Sequence, residues 1–133
     1  MSPGLSVKRT TDAGPFSTPE SAGILAALSV TGDGVKKFKI TASFQSMTGT
    51  VVGDVFAFYL KDGATVIKTH RVYVTSALQG FIGAAGGTIT AVDTPAVGSH
   101  SYTLTAIRLN GTGTGVVVGN AAAPIDIIVE QIA

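Results

Sequence analysis

The sequence predicts an all-β fold: a jelly-roll-like antiparallel sandwich of about eight strands, preceded by an extended N-terminal arm. Three observations predict it. Short apolar or alternating segments recur at regular spacing from Ile24 to the C-terminus. Turn residues separate them, among them Asp33-Gly34, Asp62-Gly63, Pro95 with Gly98, and the run from Asn110 to Gly115. No stretch carries the apolar spacing of a helix of any length. An up-and-down barrel is the competing architecture.

The elements follow in order. Residues 1–23 hold Pro3, Pro15 and Pro19 with Gly4, Gly14 and Gly23. Prolines at that density forbid a helix and disfavour a central strand, so this part reads as an arm, with one helical turn capped by Ser17 or Thr18 at Pro19. Residues 24–133 form the sandwich domain, and Ile24 to Val30 opens it. From Lys37 to Gln45, Phe38, Ile40, Ala42 and Phe44 alternate with polar residues, the pattern of a half-buried strand. Val55 to Leu60 has no polar face and suits a strand covered on both sides. Lys61-Asp62-Gly63-Ala64 makes a hairpin turn. Thr65 to Thr75 has no cleanly apolar face, which places it at an edge or interface. A glycine-rich piece runs from Phe81 to Gly87 before Thr88 to Val92 resumes a strand. Ser101 to Leu109, Val116 to Val118 and Ile125 to Ile132 complete the set, with Asn110 to Gly115 as a flexible loop. The sequence shows neither an internal repeat nor a second domain.

Composition narrows the function. The 133 residues carry nine Lys+Arg and eight Asp+Glu, only 13% charged, and 45% are hydrophobic. Mean hydropathy is +0.44. This excludes disorder, and the near-neutral balance argues against direct nucleic-acid binding. No Cys is present, so disulfides, thiolate chemistry and Cys-ligated metals are excluded. The first residues lack the apolar core of a secretory signal, and Ile24 to Val30 is too short to span a bilayer, so no membrane partner is expected. A surface this poor in charge is weakly protected against association. The simplest expectation is that other subunits cover part of it.

Chemistry-bearing residues are few. His70 lies beside Lys68 and Arg71, and His100 lies within Gly98-Ser99-His100-Ser101-Tyr102. Neither has a carboxylate nearby in sequence to orient it, so both read as structural. No zinc or calcium pattern occurs, and Gly111, Gly113 and Gly115 lack the helix and spacing of a dinucleotide site. The expectation is a protein without enzymatic activity and without a cofactor. Phe56, Phe58, Tyr59, Tyr73 and Tyr102 stand as core and oligomer-interface candidates.

The run from Gly53 to Gly63 (GDVFAFYLKDG) and the run from Thr94 to Leu104 (TPAVGSHSYTL) resemble the small jelly-roll modules of tailed-phage virion proteins. These occur as head decorations and as head domains of minor tail and fibre proteins, with an architecture similar to the C1q and tumour-necrosis-factor group. The likeness covers roughly residues 36 to 133. It implies a homotrimer. With no shaft or stem ahead of the module, it implies a capsid decoration (cement) protein, made in the host cytoplasm and set on the outer surface of the head. Its partners would be its own copies and the major capsid protein lattice. Leu5, Val7, Lys8, Arg9 and Phe16 of the arm are the expected lattice contacts. The alternative is a receptor- or carbohydrate-binding tail protein that works through the segments 77–87 and 110–115.

Overall fold

The structure is a computed structural model that describes residues 5–18, 24–78 and 81–133. These hold eleven strands: β1 (Leu5–Arg9), β2 (Ala13–Phe16), β3 (Ile24–Gly32), β4 (Phe38–Gly49), β5 (Val55–Asp62), β6 (Thr65–Tyr73), β7 (Thr75–Leu78), β8 (Phe81–Asp93), β9 (Gly98–Asn110), β10 (Gly115–Val118) and β11 (Ile125–Gln131). A four-stranded sheet has the order β3-β9-β5-β6. A seven-stranded sheet has the order β1-β11-β4-β10-β2, with β8 on the far edge of β4 and β7 beyond β8. The pairings are antiparallel.

β4 organises the larger sheet. Residues 38–43 pair with β11, residues 46–49 pair with β10, and β8 runs along the other side. The expected alternation holds from Phe38 to Phe44 and then breaks. Phe44 and Met47 are both buried, although three residues apart they should point to opposite faces. The pairing of β4 with β8 skips Gln45 and Gly86 at the same level. A Cβ on Gly86 would sit 2.0 Å from the Phe44 carbonyl oxygen and 2.2 Å from that of Gln45. Glycine lets the two backbones approach closely there. The glycine-rich piece is thus part of a thirteen-residue strand, and its composition serves that approach.

The core joins the sheets through aromatic rings. Phe44 stacks on Phe58 with centroids 4.3 Å apart, and Phe16 meets Phe56 and Phe58 edge-on at 5.5 and 6.3 Å. Leu60, Leu104, Ala106, Ile40, Ile125 and Ile127 pack around them with no exposed surface. β6 is an edge strand, as its mixed faces imply. After it, buried Val74 carries the chain across to the other sheet.

The N-terminal segment departs from expectation. β1 pairs along its whole length with β11, and β2 pairs with β10. Residues 5–16 are therefore two edge strands of the sandwich, not an arm lying outside it, and with β7 they raise the strand count from about eight to eleven. Pro15 is compatible with β2 because that strand is an edge. Phe16 is only 1% exposed and belongs to the core. The Ser17 carbonyl accepts the Arg108 N–H at 2.8 Å, while the expected helical turn at Pro19 and Glu20 lies outside the described residues.

Candidate functional site

The two sheets turn different outer faces to solvent. On the seven-stranded sheet, cross-strand rows read Lys8–Asp126–Ser43–Thr88, Ser6–Ile128–Thr41–Thr90 and Glu130–Lys39–Val92. Hydroxyls and opposite charges alternate there, and Ser43 donates its Oγ–H to Asp126. On the four-stranded sheet, Tyr73 lies opposite Val55, Arg71–Ala57–Ile107 form the next row, and Thr69–Tyr59–Thr105 the one after. Leu109 bulges out beside this end. Ala57 is fully covered yet stands outside the main core, beneath its larger row neighbours Arg71 and Ile107. The Thr105 hydroxyl is buried on this face without a hydrogen-bond partner.

Next to this end lies a tip formed by the β4–β5 turn and held by hydrogen bonds. Asp54 is 2% exposed and accepts the backbone N–H groups of Gly113 at 2.8 Å and Thr112 at 3.3 Å. Thr50 Oγ1 accepts the Thr114 N–H at 2.9 Å, Gly53 N–H donates to Val74, and Val74 N–H donates to Asp54. The Arg108 guanidinium donates to the Gly113 carbonyl. Gly111 has φ +104°, and a Cβ on it would lie 1.7 Å from Asp54 Oδ1. The expected flexible loop at 110–115 is therefore a fixed one, with glycine required by the buried carboxylate.

The opposite end carries a polar network. His100 Nδ1 lies 2.8 and 2.9 Å from the two Asp62 carboxylate oxygens, and Nε2 lies 2.8 Å from the Ala96 carbonyl. A carboxylate and a carbonyl both accept, so this placement favours the doubly protonated ring, with both nitrogens donating. The Asp62 hydrogen bond, and after it the Ala96 carbonyl, raise its pKa above the ordinary histidine value. Tyr102 donates its hydroxyl to Asp93 at 2.7 Å. Burial, then Asp93, push its ionisation far above the usual tyrosine range. Asp33 caps the β3–β4 turn, and the N–H groups of Lys36 and Val35 hold its carboxyl below the usual range. Among the described residues, no three His, Asp or Glu side chains are placed to hold a metal ion.

These positions sort the sequence candidates. Phe56, Phe58 and Tyr102 are fully buried in the core and leave no ring surface for a subunit contact, which corrects their interface assignment. Tyr59 is half-buried and Tyr73 is 61% exposed, both on the outer face of the four-stranded sheet. Of the N-terminal residues, Leu5 and Lys8 are exposed, and Val7 packs against the core. Arg9 reaches the Asp12 carbonyl at 2.8 Å, and Phe16 is core. Sequence reasoning missed the His100–Asp62 pair, because the carboxylate is 38 residues away, across the pairing of β5 with β9. The segment 77–87 is a strand hairpin rather than a loop, with residues 79–80 outside those described.

No protein-family model matches the chain, and no curated protein matches it. Among solved structures it is similar to part of dimeric latent PorU from Porphyromonas gingivalis, with TM-score 0.57 and 9% identity over 96% of this chain. It spans only 12% of the PorU chain. It is also similar to the CBM36-1 domain of a multidomain xylanase from the hindgut metagenome of Trinervitermes trinervoides (TM-score 0.47, 15% identity, 98% of this chain and 99% of that one). A third likeness is to Eiger TNF from S. frugiperda (TM-score 0.45, 11% identity, 98% and 85%). At these identities the likeness is one of fold: the described strands form an antiparallel jelly-roll sandwich.

Proposed function

We propose that this protein is a structural, non-enzymatic component of a phage particle, a homotrimeric decoration protein that reinforces the outer face of the head shell. The observation that carries the structural reading is the use made of its acids. All six aspartates hold the fold together: Asp12 accepts Gly119 N–H, Asp33 caps a turn, Asp54 pins the 111–114 loop, and Asp62, Asp93 and Asp126 bind His100, Tyr102 and Ser43. None is held in reserve for proton transfer. The low charge supports work in many copies, because a surface so poor in charge is weakly protected against association. The phage assignment rests on the resemblance of the 53–63 and 94–104 runs.

In this reading the mechanism is mechanical. Three weak shell contacts per trimer act together, because after the first forms the others are intramolecular, which gains about 10²–10⁴ in avidity. A ligand that binds only the assembled shell stabilises it by mass action. β1 contributes as an edge strand, through exposed Leu5 and Lys8, rather than as a loose arm. A second reading, a carbohydrate-binding tail protein, is favoured by exposed Tyr73 beside Arg71 and Thr69. Quantitative mass spectrometry of purified particle fractions separates the two. Hundreds of copies per particle fit a head decoration, a handful fit a tail component, and absence from particles defeats both.

A further inference from the structure

We propose that Asn110 is a site of spontaneous covalent modification. Its side-chain amide is lost as ammonia after attack by the Gly111 backbone nitrogen, and the isoaspartyl product releases residues 111–113 from Asp54. The chain has two asparagines, and the fold treats them differently. Asn110 ends β9 and is exposed, as is Gly111. The Gly111 N–H donates to Asn110 Oδ1 at 2.9 Å, so the side-chain carbonyl is folded back against the nitrogen that follows it. Asn120 is followed by Ala121, and its Oδ1 accepts the N–H groups of Ala122 and Ala123 at 3.0 and 2.9 Å. That carbonyl is engaged further along the chain.

The chemistry needs water alone. Solvent hydroxide takes the Gly111 amide proton. The nitrogen then bonds to Asn110 Cγ, the bond from Cγ to the side-chain nitrogen breaks, and that nitrogen takes a proton from water and leaves as ammonia. The product is a five-membered succinimide. Water adds to one of its two carbonyls and reopens the ring as an aspartyl or isoaspartyl linkage. Glycine favours ring closure because it has no Cβ to crowd the attacking nitrogen. The folded-back carbonyl starts the step with the reacting groups already close.

The fold decides the consequence. An isoaspartyl linkage adds one carbon to the backbone immediately before Gly111. A Cβ on Gly111 would already lie 1.7 Å from Asp54 Oδ1, and the next two N–H groups, of Thr112 and Gly113, bond to the Asp54 carboxylate at 3.3 and 2.8 Å. On the other side Asn110 is fixed by its pairing with Val55. The extra atom has no room between these two anchors, and the new carboxylate sets a negative charge next to the residue that packs on Asp54.

Peptide mass spectrometry of the native chain, incubated at neutral pH and physiological temperature, tests this. The peptide holding residue 110 should gain about 1 Da, with isoaspartate identified by its backbone fragmentation. It should do so at least about tenfold faster than the peptide holding Asn120. The folded chain should react at this site no slower than the same chain in guanidinium chloride, and Asn110→Gln should remove the gain. The modified fraction should melt lower than fresh protein. If the folded chain gains no mass at residue 110, reacts there about tenfold or more slowly than the unfolded chain, or modifies Asn120 equally fast, the fold does not present Asn110 for this reaction. If the gain occurs and the modified fraction melts like fresh protein, the release from Asp54 is wrong.

Discussion

Asp54 and Gly113, 59 residues apart in sequence, are joined by a buried hydrogen bond of 2.8 Å from the glycine N–H to Oδ2. The bond converts a loop built of Asn, Gly and Thr into a fixed part of the surface. It also explains the glycines, since the carboxylate occupies the space where a Cβ on Gly111 or Gly113 would go. The buried carboxylate lies under a tip whose exposed side chains, among them Thr50, Val52, Asn110 and Thr112, carry no charge.

Asp54→Ala leaves the buried Gly113 N–H and the part-buried Thr112 N–H without their acceptor and should cost about 2–3 kcal/mol of stability. Gly111→Ala should cost a similar amount through the clash and its positive φ. The double variant should lose less than the sum, because removing the carboxylate removes the clash. Chemical denaturation of the four proteins in the cycle checks this; strict additivity would show that the two sites do not touch.

Core and surface aromatics should separate cleanly. Phe58→Ala opens a cavity between Phe16 and Phe44 and should destabilise by about 3–5 kcal/mol. Tyr73→Ala, on the exposed face, should change stability by no more than about 0.5 kcal/mol. Thermal unfolding of both variants reads the contrast.

The His100–Asp62 pair has a defined pH signature. The folded state binds the His100 proton more tightly than the unfolded chain does, so its stabilisation is full below about pH 6.5 and fades as pH rises through the raised folded value. The gap in melting temperature between the native protein and His100→Gln should be widest near pH 6 and narrow toward about pH 9. A gap that widens with pH would mean that His100 is held neutral.

Removing residues 1–16 takes away β1, β2 and Phe16. The truncated chain should lose cooperative unfolding or melt far lower, because Phe16 closes the aromatic cluster over Phe56 and Phe58. A freely dangling arm would leave the melting curve unchanged, and calorimetry distinguishes the two.

The sequence announces what local pattern determines. Phe38 to Phe44 alternate and lie inward, and Phe56, Phe58 and Leu60 fill the core. Asp62-Gly63 turns a hairpin with Gly63 at φ +57°. What it conceals depends on partners distant in the chain. Leu5 to Arg9 looks like an arm because three prolines surround it, yet its hydrogen-bond partner is β11 at the other end of the chain. His100 has no acid beside it in sequence because Asp62 approaches across the β5–β9 pairing. The close approach of Phe44 and Gln45 to Gly86 is written as glycine, which signals a loop as readily as a strand. Aromatic residues in Val55 to Leu60 could be assigned to core or interface only once the facing sheet was known.

The most direct test of the account is the mass of the unmodified protein in solution. Light scattering coupled to size exclusion at micromolar concentration should report a particle of about 40 kDa, three copies of the 13.4 kDa chain. A single species at 13.4 kDa that persists on concentration would contradict it.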